Sequence, residues 1–413
     1  MDIRKKAIYL FPVLIFLNTL QSPNQWNVFP IGNTTTGWLV NIAVIYSCFW
    51  YKNIFFYPAN KRDYLSIWIY LLWVGAMSIK GFWIAEGYWE WKQCVSGTII
   101  LSLPLLVFPF SLPWLCRNVL KFWLRYTLPL FGLFFCWTVE KGSYQFLLGP
   151  IFLLGCFLPL IPTKWRYLLL GLLILMLLID FGARSQVIKA AVALLISVGV
   201  YFRNRISVVW LRILFWGLCI LPIVLLILGI AGIFNPFKDL SDHSGNFVEQ
   251  TVINGEVQDD DLAADTRTFI YQEVINSAVT HHYLWIGRTP ARGNDSEVFG
   301  EYNAEELHTG KYERHQNELC FPSVFTWLGV VGMLLYCFFY LKSAYLALYR
   351  SNNIYMKLVG IIIAFHFMYG WVEDTNSFDI INISLWMFIA MGFSEAFRKM
   401  TNKEYEHWLK RIF

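Results

Sequence analysis

Arginines and histidines gather in one polar stretch of an otherwise apolar chain. Five of the seven histidines (His243, His281, His282, His308 and His315) lie between Phe234 and Gln316, together with Arg267, Arg288, Arg292 and Arg314. The stretch carries fifteen Asp and Glu against six Lys and Arg, so arginines beside Gly287, Gly293 and His315 read as positioned rather than scattered. A guanidinium fork matches the paired oxygens of a diphosphate and needs no metal to hold it. An imidazole titrates near neutrality and can take a proton from a hydroxyl. These residue types could hold a diphosphate and take a proton from a hydroxyl. Metal chemistry is not expected. His281 and His282 are adjacent and diverge on a helix, no cysteine or spaced glutamate completes a site, and the Asp259, Asp260, Asp261 triplet reads as a solvated run. No cofactor is expected either.

The elements that must position these residues are membrane helices. The chain is 57% apolar, 18% aromatic and only 15% charged over 413 residues, more apolar than a soluble core requires. Apolar runs of spanning length recur without the alternation of a barrel strand. Twelve spans are expected, beginning near Ala7, Trp38, Tyr64, Val95, Tyr126, Phe146, Tyr167, Val187, Ile213, Leu319, Leu358 and Ile380. The predicted fold is therefore an all-α polytopic membrane protein of about twelve transmembrane helices with one large, partly helical extracytoplasmic loop. Its divisions are residues 1–233 (nine helices), 234–316 (the loop), 317–396 (three helices) and 397–413 (a basic cytoplasmic tail). With Met1 inside, 22 of the 33 Lys and Arg fall in cytoplasmic segments, which puts both termini inside and the loop outside.

The first span follows Arg4, Lys5 and Lys6 with no small-residue cleavage site after Leu20, and reads as a retained signal anchor. The formal charge of +5 resides mostly in cytoplasmic flanks, suiting anionic lipid rather than nucleic acid. All eight cysteines fall in or at the ends of spans, so the loop has no disulfide framework.

Within the loop, residues 235–261 show little apolar periodicity and read as solvated. From Leu262 a helical stripe of Phe269, Ile270, Val274, Ile275 and Ala278 begins, with Arg267 near its start. The chain then drops into a glycine turn at Gly287-Arg288, where Gly287 and Gly293 would let backbone approach a ligand. Arg184, in Asp180-Phe181-Gly182-Ala183-Arg184-Ser185-Gln186, lies at the outer junction of the seventh and eighth spans and is a functional candidate by position. Two outer features stay open: Glu86 and Glu90 beside Trp83, Trp89 and Trp91 suit either sugar stacking or an interfacial belt, and Glu373-Asp374 either an acceptor contact or solvation.

The small-Arg-Ser turn, the Asp-x-Arg helix, the Gly-Arg turn and the element His315-Gln316-Asn317-Glu318-Leu319, entering Trp327-Leu328-Gly329-Val330-Val331-Gly332, form a familiar set. It resembles the superfamily of O-antigen ligases and O-antigen or capsule polymerases over roughly Leu168 to Leu341. Members usually place His directly before Asn, whereas Gln316 intervenes here, and Ala183 stands where Ser is common.

The resemblance implies a glycosyltransferase of the bacterial inner membrane. In it Arg184, Arg267 and Arg288 bind the diphosphate of an undecaprenyl-linked glycan donor and His315 serves the acceptor hydroxyl as base. Arg292, Arg314 and Asn317 would be further contacts. The partners it implies are donor, glycan acceptor, membrane lipid and a chain-length regulator. A polymerase is the favoured form; a ligase passing the glycan to lipid A core shares the chemistry. A lipid-linked glycan flippase is the alternative of a different class, and it would carry ionisable residues inside its helices.

Overall fold

A computed structural model describes residues 3–25, 31–58, 60–180, 184–230, 248–253, 256–261, 267–306 and 310–413. Helices dominate, and a helix stands at each predicted position. They are Ile3–Gln21, Thr34–Trp50, Lys61–Ile84, Tyr88–Phe110, Pro113–Thr138, the pair Gln145–Leu148 and Pro150–Gly155, Thr163–Leu178, Arg184–Tyr201, Val208–Ile230, Cys320–Tyr349, Ile354–Tyr369 and Ile380–Phe393. Six of these are long and apolar enough to cross a membrane. The broken pair at 145–155 rises only about 16 Å at 1.5 Å per residue, about half of a bilayer core.

The interior and the periphery differ in the way a lipid-embedded protein requires. Ile354–Tyr369 and Ile380–Phe393 are buried along nearly their whole length, with Trp386, Tyr336 and Tyr340 fully enclosed. Outward-facing Leu72, Leu195, Trp210 and Ile213 are more than half exposed, an apolar surface that water would not tolerate at this extent. These contacts describe a membrane-embedded helical protein.

Contacts among the connections sort them to two ends of the bundle. At one end Arg398 pairs with Asp63 at 3.0 Å, Lys342 donates to the Asp63 carbonyl at 2.7 Å, Trp408 donates to the Pro113 carbonyl at 2.7 Å and Arg203 lies 3.7 Å from Glu406. The predicted basic tail is more than a tail. Asn402–Lys410 is a helix with a Thr401–Glu404 capping box, and it buries Tyr405, Trp408 and Leu409.

The opposite end carries the polar segment. Val248–Ile253 pairs antiparallel with Glu256–Asp261. The sequence reading of 235–261 as an unpatterned run is corrected for this part, and Asn254-Gly255 between the two strands is the hairpin signal that it passed over. Arg267 is the N-cap of helix Thr268–Thr280, as the stripe predicts. A short ladder joins Asn294–Asp295 to Glu313–Arg314.

The Gly287 turn meets a break in the long helix Cys320–Tyr349. Gly329 there has φ +68°, and Gly287 has φ +85°. Around them the Arg288 and Thr289 amides donate to the Thr326 and Trp327 carbonyls at 2.7 and 3.1 Å, and the Val330 amide donates to the Leu284 carbonyl at 2.9 Å. A Cβ on Gly287 would sit 2.4 Å from the Gly329 nitrogen. The turn thus replaces hydrogen bonds that the broken helix forfeits, and both positions need glycine.

Candidate functional site

A cavity of about 1050 Å³ opens at the polar end, where several connections converge. Arg184 and Ser185 enter it from the first turn of Arg184–Tyr201, and Lys189 from the next turn. Arg267 comes from the N-cap of Thr268–Thr280, and Gln316, Asn317 and Glu318 from the segment before Cys320–Tyr349. Glu373, Asp374 and Asp379 come from the loop between helices Ile354–Tyr369 and Ile380–Phe393. The lining is also rich in amides, with Asn18 and Gln21 from the first helix, Asn41 from the second, Gln145 and Asn382. Trp38 and Phe146 supply aromatic faces.

Several of these side chains are fixed by one another. Asn18 donates to Asn41 Oδ1 at 2.8 Å and to the Phe378 carbonyl at 2.9 Å, which ties the first two helices to the last loop. Lys189 Nζ donates to Ser185 Oγ at 2.6 Å and to Gln145 Oε1 at 3.4 Å. Arg267 is bonded to Glu318, which also accepts from Arg314 Nη2 at 3.0 Å. Gln316 Nε2 donates to Asp374 Oδ2 at 2.8 Å. Among the described residues, Asn18 Oδ1 and Asn317 Oδ1 are buried without a hydrogen-bond partner.

Of the residues singled out in the sequence, Arg184, Arg267 and Asn317 therefore meet in one cavity, and Arg288, Arg292, Arg314 and His315 do not line it. Arg288 is the centre of an ion-pair network instead. Its guanidinium donates to Asp295 Oδ1 at 2.9 Å and to the Gly293 carbonyl at 2.8 Å, and lies 3.1 Å from Glu313 Oε1. Arg292 grips Glu313 with Nε at 3.0 and 2.9 Å from its two oxygens. His281 Nε2 lies 2.5 Å from Asp295 Oδ2.

The expectation that Gly287 and Gly293 admit a ligand is also corrected. A Cβ on Gly293 would come 2.1 Å from the Arg314 carbonyl oxygen, so both glycines are required by protein backbone. Arg314 stacks on Phe299 at 4.5 Å. His243, His308 and the side chains of Asp259, Asp260 and Asp261 lie outside the described residues.

His315 departs furthest from its expected place. It is 7% exposed, its carbonyl accepts from Trp327 Nε1 at 3.0 Å, and its ring lies beside the Ala291 carbonyl without a well-formed hydrogen bond to either nitrogen. Burial holds its pKa below the usual imidazole value, partly countered by Glu313 and Glu90. Glu90 and Glu86 are themselves engaged, since both bind Lys311, with the Glu86 contact at 2.8 Å. They anchor the polar segment to the helix pair 61–84 and 88–110.

Comparison with family models, curated proteins and solved structures gave no match. The cavity must therefore be read from its own chemistry. Two sets of charged residues singled out in the sequence, Arg288 and the Glu86 and Glu90 pair, are held in ion pairs within the protein. The cavity residues that sequence reasoning missed are Lys189, Asn18, Asn41, Gln145, Asp379 and Asn382. Lys189 had a signal, a lone cation inside an apolar helix. The amides had none, because nothing local distinguishes an asparagine that faces a cavity from one that caps a turn.

The cavity lining is mixed in charge. Arg184, Lys189 and Arg267 supply cations suited to phosphate oxygens, alongside the carboxylates of Glu318, Glu373, Asp374 and Asp379, and Glu318 is bonded to Arg267. The amides offer donors and acceptors without charge, suited to hydroxyls. The cavity volume is at the upper end of ordinary ligand sites, large enough for an extended ligand.

Proposed function

We propose that this protein is a membrane glycosyltransferase that joins undecaprenyl-diphosphate-linked repeat units, an O-antigen or capsule polymerase acting at the outer face of the bacterial inner membrane. In this reading the twelve helical segments span or enter the bilayer, both termini are cytoplasmic, and the cavity end is extracytoplasmic. One observation carries it: Arg184 and Arg267, from distant parts of the chain, line the same cavity as Gln316, Asn317 and Glu318, together with several amides. The sequence resemblance supports the same chemistry, though not the same set of residues.

Arg184 and Arg267, with Lys189 behind them, would bind the donor diphosphate and neutralise it as it leaves. The leaving group departs with its own charge, so the arginines lower the barrier without a metal. A single displacement by the acceptor oxygen inverts the anomeric carbon. Arg288, expected to be a third diphosphate ligand, instead holds the loop that carries Gln316 to Glu318. A ligase would share this chemistry and differ in acceptor. Lys189, ionisable and buried in an apolar helix, is the feature that favours the flippase reading. Flippase action would leave the diphosphate linkage intact, whereas transfer releases undecaprenyl diphosphate.

The test is donor saturation. A charge-assisted hydrogen bond contributes about 1.5–3 kcal/mol, so Arg184→Ala and Arg267→Ala should each raise the donor KM or lower kcat/KM by about 10- to 100-fold. Unchanged donor dependence in both variants would remove the diphosphate from this cavity.

A further inference from the structure

The segment 313–318 buries its first half in the protein and presents Gln316, Asn317 and Glu318 to the cavity. Glu313, Arg314 and His315 are buried, Gln316 is exposed, Asn317 is buried and Glu318 is exposed. His315 is thereby held in the protein interior and Gln316 reaches the cavity in its place. An amide has no basic lone pair for an alcohol proton. Gln316 instead donates its Nε2–H to Asp374 Oδ2 at 2.8 Å, and the backbone N–H of Asn376 donates to Asp374 Oδ1 at 2.8 Å.

We infer that Asp374, oriented by Gln316, is the group that takes the proton from the acceptor hydroxyl. The inference rests on the glycosyl transfer proposed above and deepens it by naming the base.

The other cavity carboxylates are less suited. Glu318 is engaged by both Arg267 and Arg314. Asp379 caps helix Ile380–Phe393, with its two oxygens accepting from the Asn382 amide at 2.8 Å and from Asn382 Nδ2 at 3.2 Å. Glu373 shares the loop and is the competing candidate. Asp374 likewise has each oxygen held by one donor, but it is only partly buried where Asp379 is 2% exposed, so its remaining lone pairs are open to a hydroxyl in the cavity.

The charged groups that share the cavity with it come from four elements: Arg184 and Lys189 on helix 184–201, Glu373 and Asp379 on its own loop, Arg267 at the start of helix 268–280, and Glu318 from the segment before helix 320–349. Desolvation pushes its carboxyl up to about 6, against the pull of the Asn376 amide, Gln316 and Lys189, with Glu373 pushing the same way as burial. It is ionised at neutral pH and still a stronger base than an ordinary carboxylate.

The step balances. The acceptor O–H proton passes to Asp374 Oδ2 or Oδ1, and the oxygen forms a bond to the anomeric carbon. The bond from that carbon to the diphosphate oxygen breaks, and its electron pair leaves with undecaprenyl diphosphate beside Arg184 and Arg267. The proton on Asp374 then returns to solvent through the open cavity.

The experiment measures initial rates against pH for the full-length purified protein, with a lipid-linked repeat unit as both donor and acceptor. Wild type should show an acid limb near pH 6. Asp374→Asn, nearly isosteric, should lose about 10²- to 10⁴-fold in kcat with donor KM little changed, and the acid limb should vanish. Asp374→Glu should recover part of the rate. Gln316→Ala, which removes a donor to the ionised form, should move the limb to higher pH, a shift that a purely structural role would not cause.

Asp374→Asn within about threefold of wild type, with its acid limb intact, would overturn the assignment. So would loss of that limb in Glu373→Gln or His315→Gln and not in Asp374→Asn. An inactive wild type on every lipid-linked substrate would instead sink the glycosyl-transfer reading, and the base with it.

Discussion

Glu313→Gln isolates the ion-pair network that orders the polar segment. Glu313 is 4% exposed and accepts from Arg292 through both oxygens, lies 3.1 Å from Arg288 and accepts from the Gly293 amide at 3.3 Å. Glutamine preserves volume and one acceptor but leaves two guanidiniums, 12% and 20% exposed, without their shared counter-charge. Removing one partner of a buried pair costs about 3–5 kcal/mol, and Arg288 retains Asp295, so the lower end of about 3 kcal/mol is expected. At about 1.4 kcal/mol per decade this is about a 10²-fold rise in the opening equilibrium of the segment. Hydrogen exchange of peptides covering 284–295 and 313–317 reads it directly, with peptides from 380–393 as the internal reference. A change below about threefold in the segment peptides would refute the view that this network holds the loop.

The same pair should show a pH signature. Burial raises the Glu313 carboxyl, but the Arg292 hydrogen bond and the Arg288 and Arg292 charges outweigh it and hold its pKa below the usual range. A depressed carboxylate contributes stability above its unfolded pKa and loses it as pH falls through the folded value. The exchange difference between wild type and Glu313→Gln should hold from about pH 8 to 5 and close in stronger acid; closure between pH 7 and 6 would assign the effect elsewhere. Gly329→Ala should prevent the Gly287 crossing, since a Cβ there would lie 2.3 Å from the Trp285 carbonyl oxygen, and loss of folded yield on size-exclusion chromatography checks it. A well-folded Gly329→Ala protein would show that the helix break is dispensable.

How much of this was legible in the sequence depends on range. Apolar runs fixed the helical positions because a span declares itself within twenty residues, and Arg267 at a helix start followed from a stripe of five apolar side chains. The convergence of Arg184 with Arg267 was reachable only through resemblance. The roles of Arg288 and Arg292 were misread for a physical reason: a guanidinium beside a glycine looks the same in sequence whether its partner is a phosphate or a carboxylate. Here the partners are Asp295 and Glu313, both within the same acidic loop. The inversion of His315 and Gln316 could not be read at all, because which side of an irregular segment faces a cavity is set by what packs behind it, in this case Trp327 and Ala291.

The central claim is that the cavity performs glycosyl transfer. Purified protein in detergent or liposomes, given only a lipid-linked repeat unit in the presence of a metal chelator, measures it most directly, with products resolved by gel. A ladder of repeat-unit oligomers, with release of undecaprenyl diphosphate, is the expected result. Unchanged substrate in that assay, together with chelator-independent movement of the intact lipid-linked glycan across liposome bilayers, would contradict the claim in favour of transport.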